Sequence, residues 1–284
     1  MQRFLGFILV LGLVSCAQPP AIRPALPPPS EPSADLAPPF QPQTSWDTGW
    51  RMQRQQVQNL SHLASWSRCT VSGREGEVEV CQVRFDSRHC TLRVVDQPDA
   101  GAGSGALLEA MRSVNAIAGV NGGYFHPDFT PLGLMIADGR SSGQWVRTSL
   151  VSGMLRVRQG LPALIWNHEP GQTLEVEHLL QSGPRLVDAG RVVEGLNGRR
   201  SAARTFIATD GSTGWLVGVA RNVTLQGLAE ILATPGLLCG FRIERALNFD
   251  GGRSTAFYVR QEDGSEVAEP GWSTVRNYVA VVPR

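Results

Sequence analysis

Asn121-Gly-Gly-Tyr-Phe125 and Asn248-Phe-Asp-Gly-Gly252 are the two stretches that say most about the fold and function of this chain. Each places a polar side chain beside paired glycines directly after an apolar run, at 116–120 and at 246–249. Glycine pairs permit tight turns and let backbone N–H groups approach an anionic ligand without a Cβ in the way. Both stretches therefore predict a buried strand that ends in a ligand-binding turn.

The N-terminus is typical of an exported protein. Residues 1–16 have a basic start, an apolar core and the ending Leu13-Val-Ser-Cys16, which resembles a bacterial lipoprotein signal. Cleavage before Cys16 would leave a lipid-bearing cysteine, so we expect membrane attachment through that lipid. An ordinary secretory signal or an uncleaved anchor is the alternative.

Residues 17–44 are dominated by Pro, Ala, Ser and Gln, a composition that predicts a disordered tether. No Asp follows Cys16 closely, which in a Gram-negative host favours the outer membrane, facing the periplasm. Residues 45–284 are long enough for one globular domain. The expected arrangement is therefore a signal, a tether and a single domain in the cell envelope.

Cysteine and charge content narrow the class of protein. Four cysteines follow Cys16, namely Cys69, Cys81, Cys90 and Cys239. An even number in an exported protein predicts one or two disulfides, with three possible connectivities, and buried thiols are the alternative. No CxxC pair supports a zinc site. All 26 basic residues are arginine and the net charge is +1, which argues against nonspecific nucleic-acid binding. Serine-hydrolase, zincin and P-loop motifs do not occur.

Periodicity predicts an α+β fold: a single globular domain with a mixed, largely antiparallel sheet, hairpins and a few helices. Strands are expected at 77–85, with a bulge near Cys81, and at 91–95. Hairpins are expected around Asp210-Gly211 and Asp263-Gly264. Helices are predicted after the capping residues Ser104 and Thr224, the second one ending at Pro235-Gly236.

Asp250 is the leading catalytic candidate, because it is a lone carboxylate between an apolar strand and two glycines. Arg204, before Thr205, is a candidate phosphate clamp, and Arg185 is a weaker one. His126 could act as an acid or base near neutral pH. Plain turns, solvated arginines and an incidental loop histidine are the alternatives for these positions.

Several motifs follow one another in a fixed order: NGGYF from Asn121, Pro131-Leu-Gly133, Asp138-Gly139, SGPRLVDAGRVV from Ser182, ARTFIATD from Ala203, the TLQGLAEIL helix, ALNFDGGRST and VRNYVAVV from Val275. Taken together, these ordered motifs resemble the phosphodiester glycosidase family from about residue 116 to the C-terminus. The resemblance implies hydrolysis of an N-acetylglucosamine-like sugar 1-phosphodiester on the sugar side. The site residues it implies are Asn121, Gly122, Gly123, Arg204, Thr205, Asp250, Gly251 and Gly252.

This sequence departs from the family pattern after Gly252, where Arg253 replaces a glycine and Ser254-Thr255 follow. The arginine would either add phosphate affinity or block the approach of a ligand to the backbone. A noncatalytic envelope lipoprotein that binds sugar phosphates is therefore the alternative function, and a scaffold lipoprotein is a third. No cofactor is expected, while a divalent metal stays open. Candidates for a second carboxylate are Asp138, Asp210 and Glu230.

Overall fold

The computed structural model describes residues 48–61, 63–169 and 175–284. The expectations for the signal, the tether and Cys16 lie outside these residues. The two α-helices of the described part are α1 (Ala106–Ser113) and α2 (Leu225–Ala233). Its strands are β1 (Arg51–Ser61), β2 (Ala64–Gly73), β3 (Gly76–Asp86), β4 (Cys90–Asp96), β5 (Ala118–Asn121), β6 (Met135–Ala137), β7 (Arg140–Ser142), β8 (Gly153–Arg158), β9 (Leu161–Trp166), β10 (His178–Ser182), β11 (Arg185–Asp188), β12 (Arg191–Val192), β13 (Ala202–Thr209), β14 (Gly214–Val223), β15 (Arg245–Asn248), β16 (Phe257–Arg260), β17 (Glu266–Glu269) and β18 (Asn277–Pro283).

The strands form three sheets. The long sheet has the order β1-β2-β3-β14-β13-β15-β11-β12, and two five-stranded sheets have the orders β7-β6-β10-β8-β9 and β17-β16-β5-β18-β4. Every strand pair in the described ranges is antiparallel. The prediction of a largely antiparallel sheet agrees with this pairing, but the expected parallel pairs do not occur in the described ranges. The fold is also richer in sheet than the predicted α+β class suggests.

Both predicted hairpins form. Strands β13 and β14 pair across Asp210-Gly211, and strands β16 and β17 pair across Asp263-Gly264. Each turn has a glycine with positive φ, Gly211 at 79° and Gly264 at 83°, a conformation that L side chains rarely adopt. Local turn chemistry therefore set these two connections.

The predicted bulge near Cys81 is wrong. Strand β3 pairs without a register shift with β2 and with β14, and Val80, Cys81, Gln82 and Val83 are all buried. Residues 80–83 are buried on both sides of the strand because both faces of the long sheet are covered at its centre. Cys81 and Val83 belong to one core cluster, and Val80 belongs to another that includes α2. A fully buried central strand gives the same loss of alternation as a bulge.

One predicted helix cap is correct and the other is not. The Thr224 hydroxyl accepts the Gly227 N–H at 2.9 Å and begins α2. Helix α1 instead begins after Gly105, without a side-chain cap, because Ser104 lies in a 3₁₀ turn over Gly103–Gly105. No helix in the described ranges is long and apolar enough to cross a bilayer.

The disulfide expectation is also corrected, because all four cysteines of the domain are free thiols. Cys69 lies opposite Val80 and Cys81 opposite Arg68 on the paired strands β2 and β3. Successive side chains point to opposite faces of a sheet, so these two thiols face different core clusters. The alternative taken from the sequence, buried thiols, holds for Cys69, Cys81 and Cys90, while Cys239 is partly exposed.

Candidate active site

The two glycine turns meet, and the Asn121 side chain joins them. Asn121 is completely buried at the end of β5, where its Nδ2 donates to the Asp250 carbonyl at 2.8 Å. Its Oδ1 accepts the Thr205 hydroxyl at 2.7 Å and the Ala256 N–H at 3.0 Å. The amide is thus committed to protein groups, and Asn121 is a positioning residue for the Asp250 turn.

Gly122 and Gly123 serve this packing. The Gly122 N–H donates to the Asn277 carbonyl at 2.9 Å, and the Gly123 N–H donates to Asn277 Oδ1 at 2.8 Å. A Cβ on Gly122 would lie 2.0 Å from that same Oδ1. The expected exposure of these N–H groups to an anionic ligand is therefore not observed, since Asn277 already occupies both.

Asp250 lies at the tip of β15, held from both sides. Its N–H donates to the Gly122 carbonyl at 3.0 Å, and the preceding Phe249 N–H donates to the Thr205 carbonyl at 2.8 Å. The carboxylate accepts the Gly251 N–H at 2.8 Å and a hydrogen bond from Ser254. Burial raises the pKa of Asp250 above its usual value, against the effect of these two bonds. Asp250 is thus a partly exposed carboxylate in a poorly hydrated setting.

The remainder of the Asp-Gly-Gly turn is tightly packed on one side and open on the other. A Cβ on Gly251 would lie 2.7 Å from the Ala203 carbonyl, which forces glycine at this point. Gly252 has a φ of 63° and begins a 3₁₀ turn through Ser254. The first N–H groups of a helical turn have no acceptor within the turn, so those of Gly252 and Arg253 are the ones suited to an anion.

Tyr124 is a site residue that sequence reasoning missed. Its hydroxyl donates to the Gly183 carbonyl at 2.7 Å and accepts from Asn248 Nδ2 at 2.9 Å. Burial, followed by the Asp250 charge, raises the pKa of Tyr124, whereas Arg204 acts in the opposite direction. The phenol therefore lies within electrostatic reach of both predicted catalytic groups.

Arg204 lies in β13 directly before the buried part of the strand, on the face opposite Thr205. Its Nη2 donates to the Arg200 carbonyl at 2.7 Å and its Nε to the Val223 carbonyl at 3.3 Å. Burial lowers the pKa of this guanidinium, which makes no ion pair with any described residue. A desolvated cation of this kind favours an anionic ligand.

The motifs also supply buried polar atoms that lack a hydrogen-bond partner in the described part of the chain. Each such atom costs about 1–3 kcal/mol, and four of them lie in the segments that meet at this junction. They are Ser182 Oγ, Asn248 Oδ1, Thr255 Oγ1 and Asn277 Nδ2. Like Tyr124, each lies inside a motif quoted above, which was the available signal for it.

Three further candidates are placed differently. Arg185 donates to Asp188 at 3.2 Å and its guanidinium lies 5.4 Å from the centre of the Trp166 ring, so it is engaged by those two residues. His126 is exposed on a turn closed by its own backbone. Arg253 is exposed, three residues after Asp250 in the same turn.

None of the three candidate second carboxylates contacts Asp250. Asp138 pairs with Arg93 at 2.6 Å, and Asp210 accepts N–H groups of its own hairpin turn. The carboxylate of Glu230, on α2, accepts a hydrogen bond from Trp50 Nε1 at 3.2 Å and also forms an ion pair with Arg74. The described residues contain no cluster of three or more His, Cys, Asp or Glu suited to a metal ion.

Two cavities of about 500 and 300 Å³ lie away from this junction. They share Arg84 and Gly240 and open where β2 begins and β3 ends. Strand β15 begins beside the β13–β14 hairpin turn, where Arg245 pairs with Thr209, and it ends away from that turn, where Asn248 pairs with Phe206. Asp250 follows this second end. The chemistry-bearing residues, and not cavity size, therefore locate the candidate site.

Comparisons with known proteins identify the family of this chain. The phosphodiester glycosidase family model matches residues 114–282, which include both glycine turns. The catalytic domain of zebrafish N-acetylglucosamine-1-phosphodiester alpha-N-acetylglucosaminidase, auto-inhibited by its pro-peptide, has a similar fold, with a TM-score of 0.55 and 15% identity over 81% of this chain and 88% of that one.

A hypothetical protein from Synechocystis is similar as well, with a TM-score of 0.56 and 16% identity over 83% of this chain and 68% of that one. No curated protein sequence matches. At these identities the solved structures show a shared fold, whereas the family model covers more than half of the sequence. The chain therefore belongs to the phosphodiester glycosidase family.

Proposed function

We propose that this protein is an exported hydrolase that cleaves a glycosyl 1-phosphodiester on the sugar side. The observation that carries the proposal is the hydrogen-bonded union of the two glycine turns, with Asn121 Nδ2 on the Asp250 carbonyl at 2.8 Å. This union holds a desolvated carboxylate within electrostatic reach of Tyr124, and Arg204 acts on the same phenol. The family supports a glycosidase-type hydrolase in general.

The reaction breaks the bond between the anomeric carbon and its oxygen, and the electron pair leaves with the phosphate. A phosphomonoester has a second pKa of about 6, so this leaving group departs with little protonation. One carboxylate then suffices to take a proton from the attacking water or to stabilise the positive charge that develops on the sugar ring. Asp250 has that role in the proposal, which fits the separation of the other three carboxylates from it.

Charge on the departing phosphate needs stabilisation as the bond breaks. Arg204 supplies a partly buried cation, and the N–H groups of Gly252 and Arg253 supply donors at the start of the 3₁₀ turn. Asn121 and Thr205 act indirectly, because their side chains bond to each other at 2.7 Å and hold the turn.

An N-acetylglucosamine-like sugar is proposed, because the similar zebrafish protein is named for that substrate. Attachment through a lipid on Cys16 and a 17–44 tether would place the domain at an envelope surface, where glycans joined by phosphodiesters are the natural substrate class. A requirement for a divalent metal is tested by adding a chelator to the assay.

The direct test is hydrolysis of N-acetylglucosamine 1-(methyl phosphate) by the full chain, followed as release of the free sugar. Asp250→Asn should lower kcat about 10²- to 10⁴-fold. Asp263→Asn, at an exposed hairpin turn, is the matched control and should retain activity. Equal rates for the Asp250 variant and the parent protein would refute the assignment.

A noncatalytic sugar-phosphate-binding protein is the second candidate, favoured by the exposed Arg253 in place of a glycine. It predicts that the same phosphodiester binds tightly in calorimetry while no sugar is released. Arg253→Gly would then reduce the affinity without creating turnover.

A further inference from the structure

Trp272 is the most exposed large apolar side chain of the described residues. Its exposed fraction is 87%, against 60% for Val57 and 55% for Leu161. Apolar surface in contact with water is unfavourable by roughly 25 cal/mol per Å², and an indole is the largest such surface a residue can offer. A ligand that covers this ring therefore gains binding free energy.

The segment that carries Trp272 is fixed to the Asp250 turn. Trp272 N–H donates to the Arg253 carbonyl at 2.7 Å, and Ser273 N–H donates to the same oxygen at 3.2 Å. Gly271 packs so closely that a Cβ would lie 2.7 Å from that carbonyl and 2.9 Å from the Ser254 carbonyl. The segment that carries the exposed indole is thus hydrogen-bonded to the turn that contains Asp250.

Arg253 adds a cation to the same surface. Its side chain is exposed and makes no ion pair with any described residue, so its guanidinium is available to an anion. Arginine binds phosphate through paired N–H groups, and a tryptophan ring covers the apolar face of a sugar at a low cost in side-chain entropy. The backbones of Arg253 and Trp272 are hydrogen-bonded, so an exposed cation and an exposed ring extend from one surface segment, a combination suited to a phosphorylated saccharide.

We propose that Trp272 and Arg253 form a binding platform for saccharide that continues beyond the cleaved phosphodiester. The inference rests on the proposed function and deepens it, because it makes the substrate an extended, phosphate-linked oligosaccharide and not a single capped phosphate. Arg253 takes the phosphate and Trp272 takes a sugar ring farther along the chain. Trp272 lies outside the reaction centre and contributes to affinity, whereas Arg253 contributes to the binding of the phosphate itself.

The test is calorimetry on the full chain with two products that differ only in length, glucose 6-phosphate and maltotriose 6-phosphate. The parent protein should bind the trisaccharide about tenfold more tightly, the size of one good aromatic contact. Trp272→Ala should remove this difference and leave the monosaccharide affinity unchanged, while Trp272→Tyr should restore part of it. Leu161→Ala is the exposed apolar control, and Arg253→Ala should weaken both ligands.

Equal affinities of the parent protein for the two phosphates would overturn the proposal, as would a Trp272→Ala effect on both. A blue shift of the tryptophan fluorescence on vesicles of anionic lipid that Trp272→Tyr abolishes, without any response to maltotriose 6-phosphate, would assign the ring to a membrane surface instead. Because binding is measured without turnover, a length effect with no hydrolysis of the methyl phosphodiester would keep the platform and reject the hydrolase. Hydrolysis without a length effect would do the reverse.

Discussion

Asn121 Nδ2 and the backbone carbonyl of Asp250 are joined by a 2.8 Å hydrogen bond across 129 positions of sequence. The same amide accepts the Thr205 hydroxyl at 2.7 Å, so three motifs far apart in the chain depend on one buried side chain. A buried amide whose partners are all protein groups has little freedom to adjust to a ligand. The position of Asp250 is therefore set before any substrate arrives.

Asn121→Ala should lower the free energy of unfolding by about 2–4 kcal/mol, because it strands the Thr205 hydroxyl, the Ala256 N–H and the Asp250 carbonyl in the interior. Urea titration measures the loss. Asn59→Ala, at an exposed position of β1, is the control and should change stability by less than about 0.5 kcal/mol. Equal losses for the two variants would mean that the Asn121 network contributes little.

Gly122→Ala should destabilise the protein more than an ordinary glycine substitution. The new methyl group would lie 2.0 Å from Asn277 Oδ1 and 2.9 Å from Leu180, in a site without free space. Overpacking of this kind costs about 1–3 kcal/mol. Thermal unfolding compares it with Gly105→Ala, where nothing lies within 4 Å and φ is −71°, so that no loss is expected.

Features set by residues close in sequence were predicted well, whereas features that depend on contacts between distant elements were predicted less well. The hairpin around Asp210-Gly211 and the Thr224 cap follow from residues close in sequence, and both were confirmed. The bulge at Cys81 was wrong because the burial of both sheet faces depends on elements far along the chain. Propensity rules contain no term for such coverage.

The same limit applies to the site. The motifs identified Asn121, Asp250 and Arg204, and the structure brings their segments together. Asn121, however, was expected to be catalytic, whereas its buried amide holds the Asp250 turn in place. Tyr124 and Asn277 lay inside quoted motifs and were still passed over. Their importance comes from contacts with Gly183 and with the glycine N–H groups, which no spacing within the sequence reveals.

The cysteines should behave as protected thiols. Burial raises the pKa of Cys69 to about 12 and that of Cys81 and Cys90 to about 11, so almost no thiolate forms near neutral pH. A thiol reagent should label Cys239, which is partly exposed, first and the other three only after denaturation. A reducing agent should leave the melting temperature unchanged, whereas a large drop would indicate a disulfide.

Asp250 gives a prediction that links pH, stability and activity. Burial raises its pKa in the folded protein above that of the unfolded chain, so the unfolded chain releases its proton first as pH rises. Stability is therefore lost over the interval from the ordinary aspartate range up to the raised pKa. Asp250→Asn, which stays neutral, should stabilise the protein above that interval and have little effect below it, while hydrolysis falls sharply. Denaturant titrations at several pH values, with Asp263→Asn as control, measure the difference, and a variant less stable than the parent at neutral pH would make Asp250 a structural residue.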